Sequence, residues 1–286
     1  MAARVRRLRR LAHSTELNGL SYAELARAWD ALARTLGYEL ARVTRDDGGE
    51  PLLCLDLPAA CGSAVAVALC AGVHGDEPAA PWALFSAVRD GLLDRSYAYR
   101  VWCCSNPTGN ARGTRAGSDG TDINRSFSRD GLGATTPEAR TIEAHNAGRS
   151  FALSLDLHED FEASGFYCYE PAIDRPGLLA KPVVTAIEDA GFALQEIDSD
   201  FDLGYAAEGG AGLCSLAHGC VFPDLAAEVR HFEGLPYSIY MLCTARAHRT
   251  MTFEAPRTLG WEARLAVQRV AVVSALRALA ETYGIT

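Results

Sequence analysis

A mixed, mostly parallel β-sheet sandwiched by helices is the fold class that this 286-residue chain predicts, and three observations predict it. Apolar, strand-like runs alternate with helical patterns along the chain, as in α/β proteins. Two of those runs lead into histidines, His74 and His158, and open α/β sheets hold their ligands at the carboxyl edge of the strands. No repeat, low-complexity tract or evident boundary divides the chain, and a 49% hydrophobic share is ample for one core, so residues 1–286 are expected to form a single domain.

The elements follow in order. Five arginines in the first ten residues resemble the positive end of a signal peptide, but the apolar stretch that must follow is missing, so residues 1–14 are expected to be a frayed basic tail. A helical pattern runs from Tyr22 to Leu36, then a Gly-rich turn and a strand from Pro51 to Leu55. The run from Ala64 to Cys70 reads as a buried strand and is far shorter than the ~18 residues of a membrane span. Gly72 and Gly75 permit a tight turn after it, and Pro78 suits the first turn of a helix expected to reach Leu93. From Ser105 to Gly133 no period survives, which in a compact domain points to a functional loop. Thr136-Pro137-Glu138 opens a helix to Ala147, and Phe151 to Leu157 reads as a second buried strand. A short Gly-rich segment, residues 204–212, is expected to be another loop on the active-site side. Thr250 to Pro256 alternates like a strand, and Gly260 to Tyr283 reads as one amphipathic helix.

A hydrolytic zinc ion typically takes three protein ligands and leaves one position open for water. His74, Glu77 and His158 would fill that quota. Alone, the His-x-x-Glu pair also fits a helix-start Glu favoured by the macrodipole beside a hydrogen-bonded core histidine. The long loop strengthens the metal reading: it holds Arg112, Arg115, Asp122, Asn124 and Arg125. An arginine fork matches a carboxylate, and an Asp can hold a ligating imidazole in one tautomer. Asp156 shares a strand face with His158 and could support it in the same way.

These motifs carry a resemblance. The chain resembles the zinc metallocarboxypeptidases of the carboxypeptidase A type, a superfamily that also holds the aspartoacylase and succinylglutamate desuccinylase enzymes. A His-x-x-Glu pair, an Asn-Pro-x-Gly turn at Asn106, the Asp122-Ile123-Asn124-Arg125 segment, a third histidine after a strand, and a late Thr252-Phe253-Glu254 occur here in the order of that family. The resemblance implies one zinc ion held by His74, Glu77 and His158, with Asp122 accepting a hydrogen bond from His74. It implies that Asn124 and Arg125 grip a substrate carboxylate, that Arg115, with Arg112 as rival, faces the attacked carbonyl, and that Glu254 is the general base. The expected activity is hydrolysis of a C-terminal peptide bond beside a free carboxylate. The alternatives are an N-acyl amino acid deacylase or cell-wall-type amidase, and a catalytically silent zinc-binding protein. Tyr237 and Tyr240 are candidates for the family's substrate-closing tyrosine, though surface packing explains them equally. About thirty residues follow Glu254, so a one-domain plan is expected rather than one with an appended C-terminal domain.

The chain's other features set its partners. A formal charge of −9 with no recurring basic face argues against nucleic acid, and the lack of a long apolar run argues against a membrane. Nine cysteines, an odd number scattered through apolar segments without Cys-x-x-Cys, suit buried thiols in a reducing cytosol. The expected partner is a small peptide or an acylated amino acid.

Overall fold

The computed structural model describes residues 21–283 apart from 46, 48, 61, 63, 64, 172–177 and 197–213. The basic first 14 residues and the 204–212 segment lie outside the described residues. Helix α1 (Tyr22–Leu36) begins with a capping box between Ser21 and Glu24 and ends at Gly37 in the left-handed region, which leads into β1 (Leu40–Val43) and β2 (Leu52–Leu57). Strand β3 (Ala66–Ala71), helix α2 (Ala79–Arg89) and β4 (Ala98–Cys104) form the first parallel crossover. Helix α3 (Pro107–Arg112), a 3-10 turn (Ile123–Arg125) and α4 (Pro137–Asn146) lead to β5 (Leu153–Asp160). Then come β6 (Tyr167–Tyr169), α5 (Ala180–Asp189), β7 (Cys214–Ala217), β8 (Cys220–Pro223), α6 (Leu225–His231) and α7 (Tyr237–Cys243). Strand β9 (Thr250–Pro256) and α8 (Trp261–Tyr283) close the described fold.

Among the described residues these strands make one sheet, ordered β1-β2-β4-β3-β5-β9-β6-β8-β7. Its centre, β4-β3-β5-β9, is parallel, and β2 and β6 join that centre antiparallel. The sheet is covered on both faces, as the alternating pattern predicts. One core joins it to α1, α2, α5 and α8, with Trp29 packed edge-on against Phe85, and the other joins it to α4 and α7. Because β3, β5 and β9 run in one direction side by side, their carboxyl ends bring residues 74, 158 and 254 to one edge.

Two expectations change. The 105–133 segment is not wholly irregular: Asn106 caps α3 by accepting from Gly109 N at 2.8 Å, with Pro107 at the first helical position. The segment is also pinned from below by Arg45, whose fully buried side chain reaches Thr108, Ser118 and Glu138. The C-terminal helix α8 is buried almost all round rather than along one face, because it packs between α2 and α5. The seven cysteines whose side chains are described are free thiols.

Gly72 and Gly75 are needed where the sequence places them. Gly72 has φ +67°, and a Cβ on Gly75 would stand 2.0 Å from the Gly109 carbonyl carbon and 2.2 Å from Asn110 N. Gly75→Ala must therefore push α3 away from the His74 turn. We expect a loss of about 3 kcal/mol in urea unfolding, as for an overpacked core position, together with weakened metal uptake.

Candidate metal centre and substrate cavity

His74 lies just beyond β3, Glu77 precedes α2, and His158 stands near the end of β5. All three are buried, and their ligating atoms lie within 4.8 Å of one another. His74 Nδ1 is 2.6 Å from Glu77 Oε1, His158 Nδ1 is 3.0 Å from Glu77 Oε2, and the two Nδ1 atoms are 3.2 Å apart. The outward nitrogens face carboxylates instead. His158 Nε2 is 3.0 Å from Asp156 Oδ2, and His74 Nε2 is 3.3 Å from Asp122 Oδ1, at pairing distance though off the hydrogen-bond line.

That arrangement makes a demand on charge. With each Nε2–H turned to an aspartate, both Nδ1 lone pairs converge on a carboxylate, and only a cation or a proton between them relieves the repulsion. The acidities agree. Burial works against it, yet Asp156 and Glu77 hold the His158 imidazolium well above the ordinary histidine range. Burial likewise opposes ionisation of Glu77, but the two imidazoles keep its carboxyl well below the usual range. Two imidazoles and a carboxylate form a donor set for a divalent transition metal rather than calcium or magnesium, which prefer all-oxygen ligands. A proton occupying this cluster must leave when metal enters. Uptake is therefore expected to release close to one proton per ion near neutrality and to weaken as pH falls, which chelator competition across pH 6 to 8 would measure.

The other predicted residues gather at the same place. A cavity of ≈ 380 Å³ is lined by His74, Glu77 and His158, by Arg115, Asn124 and Arg125, and by Glu254. Arg115 Nε reaches Asp122 Oδ2 at 3.1 Å, so Asp122 links that arginine to His74. Asp122 also accepts from Asn124 N at 2.8 Å and thereby caps the 3-10 turn. Asn124 Oδ1 accepts from Tyr237 N at 2.8 Å, which leaves the side-chain NH2 as the group it offers the cavity. Arg125 lies over the Phe232 ring at 4.5 Å, and burial pulls its pKa below the usual value against the opposing charge of Asp122. Glu254 pairs in register with His158 across β5 and β9, so both side chains leave the same face about 4.8 Å apart. Burial pushes the Glu254 carboxyl well above its ordinary range, and Glu77 and Asp160 add to that while His158 opposes it.

Arg112 stays exposed at the end of α3 and does not line the cavity, and Tyr237 and Tyr240 are fully buried in the core. Two tyrosines absent from the sequence-based set do line it. Tyr167 pairs with Glu254 and Tyr169 with Thr252 across β6 and β9, and Tyr167 Oη donates to Asp160 Oδ2 at 2.6 Å. Their period-2 spacing marks a strand, but nothing local in the sequence says that this strand lies beside β9.

Solved structures share this fold. A candidate metallopeptidase from Shewanella amazonensis superposes with a TM-score of 0.68 over 89% of this chain and 92% of its own, at 22% identity. Another from Shewanella baltica gives 0.69 over 90% and 91%, at 20% identity. A metallo-carboxypeptidase from Pseudomonas aeruginosa gives 0.58 over 90% of this chain and 68% of its own, at 18% identity. At such identities the likeness is one of fold. No curated protein matches the chain. No described helix is long and apolar enough to cross a membrane. The sequence profile of the succinylglutamate desuccinylase/aspartoacylase catalytic domain matches residues 63–208, a stretch that holds the His-Glu-His cluster and the loop of Arg115 and Arg125. The chain therefore belongs to the succinylglutamate desuccinylase/aspartoacylase family of the zinc carboxypeptidase-like superfamily, a superfamily of metal-dependent hydrolases.

Proposed function

We propose that this chain is a zinc-dependent hydrolase that cleaves an amide bond beside a free carboxylate, releasing an amino acid from a small peptide or acylated amino acid. One observation carries the reading: an arginine stacked on Phe232, the side-chain NH2 of Asn124 and a desolvated glutamate face the same small cavity as the His-Glu-His cluster. His74, Glu77 and His158 would hold the zinc, which would supply Lewis-acid polarisation of the carbonyl and bring the pKa of water at the site down to about 7. Glu254 takes the proton of the attacking water and returns it to the leaving amine. Arg125 and the Asn124 amide orient the substrate by its carboxylate, and the guanidinium stacked on Phe232 favours two parallel hydrogen bonds. Arg115 turns from Asp122 to meet charge building on the carbonyl oxygen.

Carboxypeptidase and N-acyl amino acid deacylase share this clasp, since in both the departing amine belongs to an amino acid with a free carboxylate. They differ in what the acyl side carries. The family match favours the deacylase, as does a cavity near the small end of the usual ligand range of roughly 300–1,000 Å³. Dipeptides and N-acyl amino acids, each with the carboxylate free or blocked as an amide, separate the possibilities with the zinc-loaded protein. Blocking should remove nearly all turnover, and Arg125→Gln should raise KM about 100-fold on the free acid, the effect of losing a bidentate charged contact. Equal turnover of the blocked substrate would point to an amidase with no carboxylate requirement.

A further inference from the structure

The end of β5 is tied to two other elements by contacts that the proposed chemistry leaves unused. Glu159 directly follows His158, and its side chain is fully buried. Its backbone N–H donates to Glu77 Oε2 at 3.0 Å. Its carboxylate accepts from Ala79 N at 2.8 Å and from Arg264 Nη1 at 2.6 Å. One turn further along α8, Gln268 Nε2 donates to the His158 carbonyl oxygen. Residues four apart share a helix face, so a single stripe of α8 holds both.

The connectivity has a geometric consequence. Helix α2 starts two residues after Glu77, and Pro78 gives it no side-chain cap, so the Glu159 carboxylate fills that place. Glu159 thereby joins the turn that carries Glu77 to the strand that carries His158, and α8 braces the joint from behind. A buried ion pair is seldom the best way to stabilise a core, because apolar residues of similar volume often do as well or better. Resting on the reading that these side chains bind a metal, we propose that Glu159, Arg264 and Gln268 form a positioning clamp that sets the separation of Glu77 and His158 before the ion arrives. Metal affinity and coordination geometry then depend on the C-terminal helix.

The test compares Glu159→Leu/Arg264→Met, which removes both charges together, with Gln268→Leu and Arg264→Lys. For each full-length variant, the zinc Kd is measured by chelator competition and the Co²⁺ complex by its visible absorption, beside the metal-free thermal midpoint. The clamp predicts a Kd weakened by about 10- to 100-fold and an altered Co²⁺ spectrum in the double variant and in Gln268→Leu, with substantial recovery in Arg264→Lys. If the double variant does not fold, Gln268→Leu carries the same comparison. A wild-type Kd and Co²⁺ spectrum in the folded double variant or in Gln268→Leu overturn the clamp alone, whatever the midpoint does. Failure of the wild-type protein to take up either metal overturns the metal reading and the clamp with it.

Discussion

Glu254→Gln is expected to lower kcat/KM by about 10³-fold, the scale of a lost general base, while metal content stays at the wild-type level. The carboxyl stands in register with His158 and beside Tyr167, within the cavity, yet it belongs to a different strand from any of the three cluster residues. Gln keeps the shape and removes only the ability to take a proton, so lost turnover with retained metal isolates the proton transfer. Stability should move the other way. Burial raises the Glu254 pKa in the folded protein, so ionising it costs folding energy, and metal-free wild type should lose stability as pH rises through that raised value. The Gln variant lacks this loss and should unfold later than wild type at pH 8, with a smaller difference at pH 4. Unchanged turnover would show that Glu254 is not the general base.

The site was legible in the sequence to the extent that its chemistry sits at strand ends. His74 and His158 close recognisable apolar runs, and β9 spans the residues that its alternation predicts, Thr250–Pro256. Parallel strands side by side then bring such ends together with no further information, which is why a cluster spread over 85 residues, from His74 to His158, could be assembled by reading. Helix α1 was likewise legible because both its caps are local signals. Helix α3 was obscured by its glycines, although Asn106-Pro107 is a proper cap and first position. What local patterns do not contain is strand order. Tyr167 and Tyr169 reach the cavity only because β6 turns antiparallel against β9, and Arg264 reaches Glu159 only because α8 folds back under β5. The pairing of Asp122 with both His74 and Arg115 is similar: each residue invites a role, and the shared contact needs the folded loop.

His158→Ala should abolish stoichiometric metal binding, a larger effect than the 10- to 100-fold weakening that follows loss of a supporting partner. It should also destabilise the metal-free protein, and the contrast with His74→Ala separates the two consequences. Both variants lose a ligand. The partners they abandon differ, however: the Asp156 side chain is 2% exposed, whereas that of Asp122 is 27% exposed and still paired with Arg115. Removing His158 therefore strands a buried carboxylate that water cannot reach, a situation that costs about 3 kcal/mol or more, while Asp122 can be rehydrated after removal of His74. Urea unfolding of the metal-free proteins should accordingly rank wild type and His74→Ala close together and His158→Ala well below. Chelator-stripped wild type should resemble His74→Ala in stability and both variants in inactivity. A metal-replete His158→Ala protein would show that the two imidazoles and Glu77 do not share an ion, and one as stable as wild type without metal would show that Asp156 has another partner.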